Sequence, residues 1–224
     1  MKFEAVLFDC DGVLVDSEPI TNGVLRDMLQ EQGWNLTVAE CMSLFVGKTV
    51  RDEADLIEQR TGTKVTEDWL TLFRERRNDA LGQFLTAIPD IHDAVHRVHA
   101  FHGGRIACAS GADRFKVELM LRKLDLIRYF DGRIFSGYET PRSKPFPDVY
   151  LAAAAALGAD PRQCAVVEDT VVGVTAGVAA GATVFAYSPS TTAHVDAIAL
   201  RQAGAHHIFT RMTELPDLLN QGNV

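Results

Sequence analysis

The sequence predicts an α/β fold, a Rossmann-like doubly wound parallel sheet core interrupted by an inserted helical module. Three observations carry this. Short apolar runs of strand length recur along the chain, helical stretches fall between or after them, and between Asp16 and Leu85 strand patterning gives way to helical spacing. A length of 224 residues suits one large domain, or one domain carrying a substantial insertion.

Ala5-Val6-Leu7-Phe8 is an unbroken apolar run, as expected of a strand buried on both faces in a parallel sheet. The insertion follows. Val24, Leu25, Met28 and Leu29 lie at helical spacing before Gly33, Thr37 with Glu40 forms a capping-box pattern, and Gly47 and Gly62 act as stops. Thr66 then precedes a long stretch containing Trp69, Leu70, Phe73 and Leu81. The expectation is a four-helix cap domain over 16–85, with residues 1–15 and 86–224 forming the sheet domain. Its two connections would lie side by side, allowing the module to hinge over a site. Further strands are expected at 105–109, 133–135, 165–167, 183–187 and 207–209. Helices are expected at 113–124, with Phe115, Leu119 and Leu126 near one face, and at 148–157, which is dominated by alanine.

Composition narrows the function. Twenty-two Lys and Arg against 30 Asp and Glu give a net charge of −8, unsuited to tracking nucleic acid or an anionic membrane. A small anionic substrate would need local positive charge, from Lys, Arg or a metal. Cys10, Cys41, Cys108 and Cys164 lack the paired short spacings of a zinc site or a disulfide framework, so reduced thiols in a cytoplasmic protein are expected. The N-terminal apolar run is too short, and closed too soon by Asp9, for a signal peptide. No apolar stretch approaches the ~20 residues that cross a bilayer.

Chemistry concentrates at predicted strand ends, where open parallel sheets build their sites. The first strand ends in Asp9-Cys10-Asp11-Gly12. Two carboxylates so close make sense if a divalent cation offsets their repulsion and they differ in task, one a nucleophile and one a proton donor. A turn-forming role is the plain alternative. Glu168-Asp169-Thr170 puts a second acidic pair at another strand end, offering the hard oxygens Mg²⁺ prefers, unless Asp169 or Thr170 only caps the next helix. Ser110-Gly111 offers a hydroxyl and backbone N–H groups to a phosphate, and Lys144, before Pro145, an ammonium to cancel its charge. A helix cap and a solvated surface charge are the corresponding plain readings.

In that order and at those places, Asp9-Cys10-Asp11-Gly12, Ser110, Lys144-Pro145 and Glu168-Asp169 resemble the four motifs of the haloacid dehalogenase (HAD) superfamily. The likeness spans essentially the whole chain. The helical insertion and the stretch Asp11-Gly12-Val13-Leu14-Val15-Asp16-Ser17-Glu18 are similar to its β-phosphoglucomutase-like branch. Phe135-Ser136-Gly137-Tyr138 before Arg142 and Lys144-Pro145 is similar to the bacterial 6-phosphogluconate phosphatases. The resemblance implies that Asp9 forms an aspartyl-phosphate, with Asp11 protonating the leaving oxygen and then activating water. It implies Mg²⁺ on the Asp9 carboxylate, the Asp11 main-chain carbonyl and Asp169, with Glu168 acting through water. Ser110, Gly111 and Lys144 would bind the phosphoryl group.

The dehalogenases of the superfamily lack the second acid, so Asp11 favours phosphoryl chemistry. The phosphonoacetaldehyde hydrolases lack it too and use a cap lysine as a Schiff-base amine, a role for which Lys48 is unpersuasive. The mutases carry a histidine shortly after the first motif; here that position is Thr21, with no histidine before His92, so hydrolysis is expected over isomerisation. The expected partner is a small phosphorylated metabolite, such as a sugar or sugar-acid phosphate, acted on by a monomer or small homo-oligomer. Cap candidates for contacting it are Lys48, Thr49, Arg51, Arg76 and above all Arg77, although Arg74, Arg76 and Arg77 also read as a solvated helix face. A different class of function, a metal-binding or sensing helix, is suggested by His92, His96, His99 and His102. Ile91, Val95 and Val98 form an apolar stripe beside them, so the histidines are expected to be an exposed edge.

Overall fold

A computed structural model describes residues 3–46, 48–189 and 197–220. Gly47, expected as a helix stop, lies outside them. The chain divides into two compact units, Met1–Asp16 with Thr86–Val224, and Ser17–Leu85.

In the first unit, β1 (Ala5–Phe8) is followed by the two-residue β2 (Val15–Asp16), and the chain returns to this unit at β3 (Thr86–Ala87). β2 and β3 pair antiparallel, Val15 against Ala87 and Asp16 against Thr86, a ribbon that joins the two crossings. Two residues per strand carry no periodicity, so sequence patterning does not reveal it. In order there follow α5 (Ile91–Phe101), β4 (Ile106–Ser110), α6 (Arg114–Lys123), the short α7 (Ile127–Phe130), β5 (Ile134–Ser136) and α8 (Asp148–Ala156). The unit closes with β6 (Cys164–Glu168), α9 (Val171–Ala179), β7 (Thr183–Tyr187), α10 (Ala197–Gln202), β8 (His207–Phe209) and α11 (Leu215–Asn220).

The large sheet runs β5-β4-β1-β6-β7-β8, every pair parallel. β1 lies between β4 and β6, where the winding reverses, and the crevice beyond the carboxyl ends of strands at such a point is the usual ligand site. All four residues of β1, and all of β4 and β6, are buried, as a sheet covered on both faces requires. Small residues dominate the packing of α8 on the sheet, with Ala153 and Ala154 fully buried beside Val149 and Tyr150.

The second unit holds α1 (Glu18–Glu31), α2 (Val38–Phe45), α3 (Ala54–Thr61) and α4 (Glu67–Phe84). Both halves of the Thr37–Glu40 capping box form, Gly62 ends α3 at φ 72°, and the Thr66 hydroxyl caps α4 by accepting from Trp69 N–H. Leu25, Met28 and Leu29 pack with Cys41, Phe45, Ile57, Trp69, Leu70 and Phe73 in a core of this unit's own.

Two expected helix faces need correction. Phe115 is 65% exposed, and the buried stripe of α6 is Lys116, Val117, Met120 and Leu121. The histidines in and just after α5 are not uniformly an exposed edge, since His102, which follows the helix, is buried and its Nδ1 pairs with Val98 O at 3.0 Å. All four cysteines are buried thiols, and no helix among the described residues is long and apolar enough to cross a membrane.

Candidate active site

The site grows from the end of β1. Asp9 N–H donates to Val167 O of β6, which fixes the first residue beyond the strand. The chain then turns back: Leu14 and Val15 N–H both donate to Cys10 O, and Gly12 N–H to Val15 O. Gly12 sits at φ 78°, and a Cβ there would fall 1.9 Å from Asp169 Oδ2. Glycine is therefore needed twice, for the left-handed turn and for the approach of Asp169.

β6 ends in Glu168, 1% exposed, whose carboxylate gathers donors from three segments. Oε1 accepts from Lys144 Nζ at 2.7 Å and Tyr150 Oη at 2.9 Å. Oε2 accepts from Asp169 N–H at 2.9 Å, and from Thr170 N–H and Oγ1 at 3.1 Å each. The carboxylate occupies the space a Cβ at Gly173 would take, with Oε1 only 1.6 Å from that position. Thr170 caps α9 by accepting from Gly173 N–H, so capping falls to Thr170 and Asp169 is left to the site.

Lys144 bridges the two acidic strand ends, its Nζ lying 2.5 Å from Asp9 Oδ1 as well as 2.7 Å from Glu168, and 4.7 Å from the centre of the Tyr150 ring. Its side chain is 7% exposed, so it is not a solvated surface charge. Burial opposes its charge, but Asp9 and Glu168 hold its pKa well above the usual ammonium range. Burial also opposes ionisation of Glu168, and Lys144 with the surrounding donors overcomes it, leaving that carboxyl lower than usual. Asp9 goes the other way. Burial, reinforced by the Glu168 and Asp11 carboxylates and only partly offset by Lys144, pushes it from 3.8 up to about 7.

Ser110 closes β4, 1% exposed, in register with Ser136 of β5. Its hydroxyl accepts from Ala112 N–H at 3.0 Å, while α6 is capped by Asp113, so Ser110 is not that helix's cap. Ser136 Oγ donates to Ala112 O at 2.7 Å and braces the turn. A Cβ on Gly137 would lie 2.5 Å from Ser143 Oγ and 3.4 Å from Gly111 Cα, so this glycine lets the Lys144 loop close on the Ser110-Gly111 turn.

Asp11 has a partner that sequence reasoning missed. Lys116 Nζ of α6 lies 2.6 Å from its Oδ1, with side chains 9% and 17% exposed respectively. Tyr150, the support of Glu168 and Lys144, was missed as well. Four carboxylates (Asp9, Asp11, Glu168, Asp169) gather here with Lys116 and Lys144, a setting in which a divalent cation would offset part of the negative charge. The donor set fits such an ion: atoms of Asp9, Glu168 and Asp169 come within 4.8 Å of one another, all hard oxygens, and glycine at position 12 leaves room for the Asp169 carboxylate.

A model of the haloacid dehalogenase-like hydrolases matches residues 3–181. The chain belongs to this family. Among its relatives is the 6-phosphogluconate phosphatase of Escherichia coli (strain K12), 29% identical over 217 residues, or 97% of this chain and 95% of that protein. A family hydrolase from Deinococcus radiodurans R1, solved with bound phosphate and sodium, is 33% identical over 98% of this chain and 96% of its own, with a TM-score of 0.81. A candidate β-phosphoglucomutase from Thermotoga maritima is 27% identical, covers 97% of this chain and 98% of its own, and has a TM-score of 0.78.

Within the helical unit, Arg77 is buried on α4; its guanidinium donates to Asn78 Oδ1 at 2.8 Å and lies over Phe73. The solvated-face reading therefore fails at Arg77, while Arg76 pairs with Glu31 at the surface. Lys48 pairs with Glu53 at 3.0 Å. On α5, His96 and His99 pack against Tyr129. Among the described residues, three or more His, Cys, Asp or Glu ligand atoms converge only at Asp9, Glu168 and Asp169, not on the histidine helix.

Proposed function

We propose that the protein is a Mg²⁺-dependent phosphatase of small phosphomonoesters, sugar or sugar-acid phosphates such as 6-phosphogluconate, acting through an aspartyl-phosphate. The observation that carries this reading is the separation of the two acids of the first motif. Asp9 is clamped by Lys144 and Asp11 by Lys116, so two carboxylates two residues apart stand in different surroundings. Different surroundings let paired acids take different roles.

In this mechanism an Asp9 oxygen attacks phosphorus and the bond from phosphorus to the sugar oxygen breaks, that oxygen taking a proton from Asp11. Water then attacks the phosphoryl group, gives its proton to Asp11 and releases phosphate, restoring the Asp9 carboxylate. Lys144, the Ser110 hydroxyl and the N–H groups of the Ser110-Gly111 turn stabilise the negative charge as it moves. Mg²⁺ would be held by Asp9, the Asp11 main-chain carbonyl and Asp169, with Glu168 acting through water. When bound it would neutralise charge on the phosphoryl oxygens and on Asp9. Lys48 and Arg77 are the proposed cap contacts to the part of the substrate remote from phosphorus.

Isomerisation by transfer to a second sugar hydroxyl is the competing reaction, and the likeness to a candidate mutase gives it standing. Thr21 speaks against it, because a threonine hydroxyl cannot take a histidine's place in proton transfer near neutral pH. The test is product analysis with Mg²⁺ on a panel of sugar and sugar-acid phosphates, scoring inorganic phosphate and isomer together, with Asp9→Asn as control. Phosphate release favouring 6-phosphogluconate is expected. Isomer without phosphate, or undiminished turnover by Asp9→Asn, overturns the proposal.

A further inference from the structure

Lys116 is an unexpected residue for its place. It lies on the buried stripe of α6 with Val117, Met120 and Leu121, where helix amphipathicity calls for an apolar side chain. Its main chain is fixed, since Lys116 N–H donates to the capping Asp113 Oδ1 at 2.9 Å. Its ammonium, 105 positions along the chain from Asp11, reaches that carboxylate at 2.6 Å. A buried ion pair is seldom a source of net stability, and an apolar residue of similar volume commonly serves as well. Stability alone therefore does not account for a lysine here.

Asp11 sits on the turn through Gly12, which leaves its side chain to be oriented by what it meets. Asp9 meets Lys144 from the loop before α8; Asp11 meets Lys116 from α6. Two lysines from separate elements thus hold the two acids apart. A proton donor loses much of its advantage when displaced by about 1 Å, because proton transfer needs hydrogen-bond contact with the leaving oxygen.

We propose that Lys116 is a positioning residue for Asp11: by donating to Oδ1 it leaves Oδ2 to carry the proton and aims that oxygen at the leaving group, and it touches neither phosphoryl group nor metal. The inference rests on the reading of Asp11 as the proton donor. Its test compares kcat/KM on two kinds of ester: p-nitrophenyl phosphate, whose leaving group departs without a proton, and the sugar phosphate turned over fastest in the product panel, whose leaving group needs one.

Lys116→Met should lower kcat/KM on the sugar phosphate by ~10²-fold and on p-nitrophenyl phosphate by less than ~5-fold, the pattern expected of Asp11→Asn. The loss should lie in kcat with KM little changed. Lys116→Arg, which keeps a cationic donor, should recover most of it. In an Asp11→Asn background Lys116→Met should add no further loss, because the two side chains then act as one unit. Equal losses on both esters would mean a structural role, a raised KM with kcat preserved would mean a substrate contact, and no loss would mean no role; each overturns the proposal. If Asp11→Asn itself fails to separate the two esters, the reading of Asp11 falls, and this inference falls with it. If Lys116→Met does not fold, Lys116→Gln provides the same comparison.

Discussion

Replacing Asp9 by asparagine in the metal-free protein should raise its stability above neutral pH while removing its activity. Asp9 is 6% exposed, and burial beside Glu168 and Asp11 pushes its carboxyl from 3.8 to about 7 despite Lys144. The folded state therefore binds a proton that the unfolded chain has already released between those two values. Stability falls as pH rises through that window and levels off above it. At about 1.4 kcal/mol for each tenfold change in a proton equilibrium, ionised Asp9 costs the folded protein about 4 kcal/mol at pH 8. Asparagine resembles the protonated acid in shape and charge and avoids that cost.

Thermal melts in EDTA at pH 8 and pH 5 measure the effect. For a chain of this size each kcal/mol moves Tm by ~2–4 °C, so Asp9→Asn should melt about 10 °C above the unsubstituted protein at pH 8. At pH 5 less than half of that difference should remain, since most of the window lies above. Adding Mg²⁺ at pH 8 should stabilise the unsubstituted protein and close much of the gap. Equal melting at pH 8 in EDTA, or a less stable asparagine variant, would show that the carboxylate is not held at a cost and would refute the electrostatic account of the site.

Three further outcomes follow from the geometry. Lys144→Met leaves Asp9 and Glu168 facing each other without a cation; it should lose turnover and about 3–5 kcal/mol of stability, read by urea denaturation. Gly12→Ala places a methyl group 1.9 Å from Asp169 Oδ2 at a left-handed backbone position, so the Mg²⁺ concentration for half-maximal turnover should rise at least ~10-fold. A titration with an unmoved midpoint would remove Asp169 from the proposed metal set. His96→Ala should leave Mg²⁺-dependent turnover within about twofold, and Zn²⁺ calorimetry should find no site lost, because the α5 histidines do not converge on one point.

The sheet was legible because its central strands are buried on both faces and so appear as apolar runs; β1, β7 and β8 occupy the residues expected of them, and β4, β5 and β6 lie within one residue of expectation. Three of the four helices of the insertion were legible through their caps, which are local chemistry: Thr37 with Glu40, Gly62 and Thr66 each act within four residues of themselves. The first, α1, was legible through the helical spacing of Val24, Leu25, Met28 and Leu29. The motif residues were legible for a related reason. An acid or hydroxyl immediately after an apolar run stands out against the strand that carries it, and the parallel order around β1 brings Asp9, Ser110 and Glu168 together at the carboxyl ends of neighbouring strands. Lys144, in the loop before α8, was legible only through the order of the motifs.

What the pattern hid were the groups that hold those residues in place, for a reason that can be stated residue by residue. Tyr150 reads as one more large side chain in an apolar helix, because only its hydroxyl, 2.9 Å from Glu168, separates it from phenylalanine in role. Lys116 was hidden because Phe115, Leu119 and Leu126 also fall near one face of the helix, and that grouping leaves the lysine off the apolar side. The structure instead exposes Phe115 and buries the lysine. The apolar positions of α6 alone carried a signal: Val117, Met120 and Leu121 define a stripe that leaves Phe115 out, and Lys116 falls within it. A lysine inside such a stripe requires an anion beneath the helix, and in this sheet the acids nearest at hand are those at the end of β1. The misplaced charge was thus a pointer to the site, and Lys116→Met with its two esters is the experiment that decides whether the pointer has been read correctly.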